Sequence, residues 1–338
     1  MSAPAPGHID VHAHVVLETT LGAAGDLGPE LGQDARGEPF FRVGGYCLKG
    51  VRYRDSAFMD VGLRLAGMDR AGIGLQVLSP NPLTYLHHVD AATARAFCRR
   101  HNDALAALVR GHPERLAGFA QLPMQDPSAA LEELERAVGE LGLAGGYVGT
   151  EFGLALDAPA LDAFYAGVAA LDVPLFLHPA PAGIDGPPGD PRLARFDLDL
   201  VAGFAADETL AVATLLFGGV LERHPGLDLC ISHGGGATPY LVGRMAAAAR
   251  KRSWVPEALR PEGAFEAALA RLWFDAHVHD PRALALLRQV VGDERLVLGT
   301  NFAGWDQGEP VADGDLAQRL TRNARRLLRF DGPDGRRA

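Results

Sequence analysis

"HIDVHAH", residues 8–14, decides how the rest of the chain is read. Its first part has the character of a short strand, and His12 and His14 fall at its end, two residues apart. Side chains at that spacing leave the same face of a strand, so both imidazoles can reach one metal ion. Two polar residues closing a strand with no ligand would look the same, and the pair alone leaves both readings open.

Working outward, short apolar or β-branched runs recur at 73–79, 116–122, 144–149, 173–178, 227–233, 271–276 and 295–300. Ala- and Leu-rich segments of helical period lie between them, among them 91–111, 128–141, 206–223, 237–250, 281–291 and 314–329. Strands alternating with helices imply parallel pairing through right-handed crossovers. Eight such units predict an α/β fold, a closed (β/α)8 TIM barrel forming a single domain over 1–338. Residues 17–56 lack this rhythm and read as an insertion after the first strand, over the barrel mouth. Residues 179–195, dense in Pro and Gly, follow the fifth strand on the same face and read as an active-site loop.

Composition narrows the class. With 48% hydrophobic and 22% charged residues and a formal net charge of −10, the chain resembles an ordinary globular enzyme and offers no basic surface for nucleic acid. The basic clusters "RKR" at 250–252 and "GRRA" at 335–338 read as solvated charge. Cys47, Cys98 and Cys230 are too few and too scattered for a disulfide framework, which fits a reducing compartment. The start "MSAPAPGHIDVHAH" lacks the features of a secretory signal. No apolar stretch is read as reaching the roughly 18 residues of a membrane span. The expectation is a soluble, cytoplasmic protein.

A barrel of this kind carries its chemistry at the carboxyl ends of its strands. His178 ends the fifth strand in "LFLHP", and His233 ends the sixth in "CISHGGG". Four histidines converging there point to Zn²⁺ or another first-row divalent ion. His87, His88, His101, His112 and His224 read as surface or capping residues. His277 and His279, in "FDAHVHDP", could approach the site, but the turn between them leaves their geometry open.

The blocks "IDVHAH", "GMDRAGIGLQVLS", "LAGFAQLPMQDP", "LFLHP", "LFGGVLERHPGLDLCISHGGGATPYLVGR", "FDAHVHDP" and "VLGTNFAGWD" stand in order from residue 9 to residue 306. Together they resemble the amidohydrolase superfamily, in the branch of α-amino-β-carboxymuconate-ε-semialdehyde decarboxylase and the resorcylate-type aromatic decarboxylases. The resemblance implies His12, His14 and His178 as metal ligands, zinc first and manganese second, and His233 as the residue that handles a proton. It implies Arg42 and Arg252 as binders of a substrate carboxylate, Arg252 across the interface of a homodimer. The family aspartate after the eighth strand is replaced here by Asn301, an expected metal ligand through its amide oxygen. The family's aromatic residue after the fifth strand is missing, with Leu200 the nearest match.

Asn301 bears on the reaction. A hydrolytic amidohydrolase uses the aspartate of that slot to take a proton from water, which a neutral amide cannot do. Asp306 or His279 would have to take over, and Asp306 is the expected catalytic carboxylate. The reading that follows is a metal-dependent, non-oxidative decarboxylase of an aromatic or enolic acid, with a small-molecule carboxylic acid as its partner. A hydrolase or hydratase of a cyclic or unsaturated acid stands second, and a metal-free binding protein third.

Overall fold

The computed structural model describes residues 7–181, 183–184, 186–187, 189–309 and 314–330. The "GRRA" stretch at 335–338 lies outside the described residues. Eight strands form one parallel sheet: β1 (His8–Val15), β5 (Ile73–Pro80), β6 (Leu116–Gln121), β7 (Gly145–Val148), β8 (Leu175–Leu177), β9 (Leu229–Ile231), β10 (Trp273–Asp275) and β11 (Leu296–Val297). The sheet runs in that order and closes on itself, because Val11 N donates to Leu298 O at 2.9 Å and Ala13 bridges Phe302. The three missing numbers form a separate antiparallel sheet, β2 (Glu30–Gln33), β3 (Pro39–Val43) and β4 (Tyr46–Lys49). Residues 17–56 are thus an insertion, but one that contains a meander the sequence rhythm did not reveal.

Among the described residues, ten α-helices wrap the barrel or cap its loops: α1 (Val61–Arg70), α2 (Ala91–Gly111), α3 (Pro127–Gly139), α4 (Asp162–Leu171), α5 (Phe204–Phe217), α6 (Val220–Arg223), α7 (Thr238–Lys251), α8 (Ala264–Leu269), α9 (Pro281–Val291) and α10 (Gly314–Leu327). Asp60, Asp90, Asp126 and Asp280 start four of them by accepting a hydrogen bond from a first-turn amide.

One buried cluster takes Val11, Val77, Phe119, Tyr147, Phe176, Cys230, Trp273 and Val297, one residue from each barrel strand. Only the inside of a closed barrel brings all eight strands together. Each fully buried large apolar side chain contributes about 2 kcal/mol, so this layer fixes the floor on which the site rests. Outside it, Ala13, Leu78, Leu175 and Ile231 pack against Leu134, Val168, Leu215 and Leu287 from the helices. The register of β1 against β5 shifts between Asp10 and Ala13. Such irregularities re-aim side chains next to active sites, and His12 sits inside this one.

Asp199–Phe217 corrects the reading that no apolar stretch reaches membrane-spanning length: it has 19 residues at a mean hydropathy of 1.6. It comprises a π-turn (Asp199–Gly203) and α5, which buries Ala211, Val212, Leu215 and Leu216 against the barrel. His101, inside α2, is 2% exposed and His87 is 4% exposed, so neither is the surface residue its polarity suggested.

Candidate metal centre and active site

His12, His14 and His178 meet at the carboxyl end of the barrel, with ligand atoms within 4.8 Å of one another. Their ring centroids are 4.9 to 5.2 Å apart. Each Nδ1 is occupied by a donated hydrogen bond: His12 to Asp275 Oδ2 at 2.7 Å, His14 to Pro80 O at 3.1 Å, and His178 to Pro179 O at 2.6 Å. That fixes the tautomer and leaves Nε2 for a ligand, the usual arrangement behind a metal-binding imidazole. Burial is the main cause that pulls all three below the ordinary histidine value, His14 to about 3, so all are neutral at physiological pH. His12 Nε2, His178 Nε2 and Asn301 Oδ1 are buried without a hydrogen-bond partner. Buried acceptors without a partner are costly unless something binds them, and two of these three belong to the histidine triad. The residues fit a divalent cation.

Behind the triad, Asp10 locks the strand ends together. It accepts from Thr300 Oγ1 at 2.7 Å, Gln76 Nε2 at 2.8 Å and His12 N at 3.1 Å. Burial raises Asp10 to about 6, against these stabilising bonds. The buried Arg64 completes the network by donating to Gln76 Oε1 and to His14 O, both at 2.6 Å.

His233 stands beside the triad, its ring 4.9 Å from His12 and 5.0 Å from His178. Its Nδ1 meets Glu208 Oε1 at 2.6 Å. Burial alone would depress His233, but the carboxylates of Glu208, Asp275 and Asp306 together outweigh it and raise the group to about 9. The backbone there is left-handed at four successive residues, His233 (φ 45°) and Gly234 to Gly236. "HGGG" is therefore a geometric requirement: a Cβ on Gly236 would lie 2.1 Å from Ala205 O in α5.

Asn301 (φ 47°) occupies the slot after β11. Its Nδ2 donates to Asp306 Oδ1 at 2.5 Å, and its amide oxygen is left without a hydrogen-bond partner. Asp306 Oδ2 lies 3.2 Å from His277 Nε2 and 3.5 Å from His279 Nε2. Against burial, the His277 hydrogen bond and charge, with His233 and Asn301 beyond, hold the Asp306 carboxyl below its usual range. The structure thus brings His277 into the cluster, 5.3 Å ring to ring from His233, and leaves His279 exposed at the edge.

A cavity of about 260 Å³ opens over His14, His178 and Asn301. Leu48, Phe58, Leu83, Leu200 and Phe204 make it largely apolar, and Tyr46, Tyr53 and Ser56 of the insertion also line it. Arg52 is the guanidinium on its wall, and among the described residues no carboxylate lines it. Arg42 is placed elsewhere: it is paired with Glu30, donates to Gly44 O at 3.1 Å, and is not among the lining residues. Arg252 caps the C-terminal end of α7, exposed and away from its own chain's cavity. Leu200 does line the cavity, and the aromatic ring missing at that position comes from Phe204, one turn on, 5.6 Å from His178.

Reading the sequence missed Arg52, Glu208, Asp275 and Phe204. Two carried a visible signal: Glu208 is an acid in an apolar helix run, and Asp275 an acid inside a strand.

A closed (β/α)8 barrel with histidines gathered at its carboxyl end places the molecule among the histidine-centred barrel enzymes. The chain belongs to the amidohydrolase family, whose family model matches residues 9–330. It is 31% identical over 255 residues to 2-amino-3-carboxymuconate-6-semialdehyde decarboxylase of Dictyostelium discoideum, covering 75% of this chain and 69% of that one. It is 30% identical over 329 residues to γ-resorcylate decarboxylase of Rhizobium sp. strain MTP-10005, covering 90% and 96%. A 2-keto-4-carboxy-3-hexenedioate hydratase of Sphingobium sp. is 28% identical over 247 residues, covering 70% and 67%. Among solved structures, a dihydroxybenzoic acid decarboxylase of Polaromonas sp. JS666 with bound manganese and 2-nitroresorcinol superposes with a TM-score of 0.73. That match has 23% identity and covers 98% and 99% of the two chains, a likeness of fold.

Proposed function

We propose that this chain is a metal-dependent, non-oxidative decarboxylase of an aromatic or conjugated carboxylic acid. The observation that carries the reading is the pairing of three neutral, pre-oriented imidazoles with an apolar cavity whose charged wall residue is Arg52. His12, His14, His178 and the Asn301 amide oxygen would hold the cation. Three imidazoles and a neutral oxygen accept zinc or manganese, and the manganese in the Polaromonas enzyme supports the second. A divalent cation there supplies a Lewis acid that stabilises the electron-rich state from which CO₂ leaves.

The protein's own residues do the rest. Arg52 binds an anionic group of the substrate, and Phe204 and Leu200 flank its planar body. His233, raised to about 9, carries a proton at neutral pH and delivers it from Nε2 to the carbon that loses the carboxylate. Glu208 holds that imidazole charged and oriented. Asp306 fixes the side chain of Asn301. The three unpartnered buried acceptors weigh against a metal-free binding protein. A single catalytic unit acting as a cytoplasmic homodimer accords with the free cysteines and the exposed Arg252.

The hydratase relative supports a second reading, since His233 could equally protonate a double bond during water addition. The two separate in one experiment. Protein reconstituted with Mn²⁺ or Zn²⁺ is given γ-resorcylate and other hydroxybenzoates, and 2-keto-4-carboxy-3-hexenedioate in parallel. Release of CO₂ from the first group supports the decarboxylase; water addition to the last compound with no CO₂ from any acid overturns it.

A further inference from the structure

We propose that Tyr53 is a specificity-determining residue, a hydrogen-bond donor that selects acids carrying an oxygen acceptor on the ring besides the carboxylate. The proposal rests on the function proposed above and adds what the cavity asks of its substrate.

Tyr53 and Asn81 both line the cavity, Tyr53 from the insertion and Asn81 from the turn after β5. They are 6% and 4% exposed. Asn81 Nδ2 donates to the Tyr53 hydroxyl at 3.1 Å, while Asn81 Oδ1 accepts from Leu83 N at 3.0 Å. An oxygen has to meet the Leu83 amide, which fixes the orientation of the Asn81 side chain and leaves its nitrogen for Tyr53. An amide nitrogen only donates. The phenol oxygen is therefore the acceptor in this pair, and its own proton has to go elsewhere. Among the described residues nothing accepts it. Such a proton at a cavity wall is available to a ligand oxygen, or to the water that the ligand displaces. Burial raises the Tyr53 phenol to about 12, against the Asn81 bond, so across the neutral range the group stays a protonated donor.

The ring is held in place. Phe41 and Phe58 pack on it at centroid distances of 4.9 and 4.5 Å, and Ser56 Oγ donates to Tyr53 O at 2.6 Å. A donor fixed before binding gives up little freedom when a ligand arrives.

The acceptor it selects is a ring oxygen rather than the carboxylate. Arg52 also lines the cavity but is exposed, whereas Tyr53 beside it is buried. A full anionic charge is better met by the exposed guanidinium than by one neutral hydroxyl in a buried wall. A hydroxyl, ether or keto oxygen has a smaller desolvation cost and still offers a lone pair.

The test is ligand binding to the Mn²⁺-loaded full-length protein, read by calorimetry, with CO₂ release followed on the same samples. The ligands are the three monohydroxybenzoates and the three methylbenzoates of the same ring positions, which are similar in size but lack the acceptor. For at least one ring position, the ratio of methyl to hydroxy dissociation constants should fall about 10-fold in Tyr53→Phe, the loss of one well-placed hydrogen bond. Methylbenzoate binding should stay within about twofold. Asn81→Asp keeps the acceptor for Leu83 N but offers the Tyr53 proton a carboxylate, so the same ratio should fall with the hydroxyl still present. Thermal unfolding verifies that both variants fold.

A ratio that either variant leaves unchanged, or a loss that falls equally on hydroxy and methyl acids, overturns selection by Tyr53; continued CO₂ release then leaves the proposed function standing. The expected fall in both variants with no CO₂ from any acid supports Tyr53 as the selector and overturns the decarboxylase. No binding of any benzoate overturns both.

Discussion

Replacing Asn301 by aspartate puts the central geometric reasoning at risk. In the wild type, Asn301 Nδ2 lies 2.5 Å from Asp306 Oδ1, a hydrogen bond to a charged acceptor. Such bonds are worth about 1.5–3 kcal/mol. Asn301→Asp removes it and sets two carboxylate oxygens about 3 Å apart, where two unit charges repel by about 5 kcal/mol at an effective dielectric of 20. Relaxation and solvent relieve part of this, leaving an expected destabilisation of about 3–5 kcal/mol for the metal-free protein at pH 8. For a chain of this length that corresponds to roughly 5–10 °C in thermal midpoint. The pH sign is fixed. A like charge raises the folded-state pKa of one of the pair, so the cost is present above that raised value and disappears as pH falls through it. Thermal unfolding in chelator at pH 8 and at pH 5 reads this directly. The deficit should shrink at pH 5, and the exchanged pair Asn301→Asp with Asp306→Asn should return to within about 1 kcal/mol of wild type. A single variant as stable as wild type at pH 8 would refute the contact between these two residues.

The other predictions are simpler. Glu208→Gln removes the foremost of the carboxylates that raise His233, ahead of Asp275 and Asp306, so the alkaline limb of the pH–rate profile should move to lower pH. Arg52→Ala should raise KM by about 10–100-fold, the loss of a charge-assisted contact, while Arg42→Ala changes KM less than about twofold. Burial pulls His101 to about 4. Its neutral form therefore supports folding above about pH 6.5, and that support is lost as pH falls from 6.5 toward 4. His101→Leu should make the acid loss of stability shallower by about 3 kcal/mol, measured by denaturant unfolding across that range. Gly236→Ala meets Ala205 O at 2.1 Å with φ at +62°. It should cost at least about 1–3 kcal/mol in thermal stability.

Much of the barrel was legible because its signal is periodic and local. The predicted strands fall on β1 and β5–β11, and helices 91–111 and 281–291 match to the residue. β11 covers only Leu296–Val297 of its sequence run, and Leu298 just beyond it bridges to Asp10 of β1. The four histidines were readable because each ends a strand, and the barrel gathers strand ends at one place. The meander of β2–β4 was not, since its strands have only four or five residues, β2 with Gly32 inside it, and alternate only weakly. Arg52 was hidden for a different reason. Which arginine of an irregular insertion faces a cavity depends on how the insertion folds back, and nothing local distinguishes Arg52 from Arg42. Glu208 and Phe204 reach the site only because α5 follows a π-turn that sets its rotation.

The most direct measurement of the central claim follows the fate of carbon and proton together. Protein loaded with Mn²⁺ is incubated in D₂O with hydroxybenzoates labelled with ¹³C in the carboxyl group, and the products are read by NMR. The account predicts ¹³CO₂ together with one deuterium at the carbon that carried the carboxylate. Both signals should disappear after chelation and in His178→Asn. Metal bound stoichiometrically at the three histidines, with no ¹³CO₂ from any aromatic acid offered and with hydration of 2-keto-4-carboxy-3-hexenedioate instead, would contradict it.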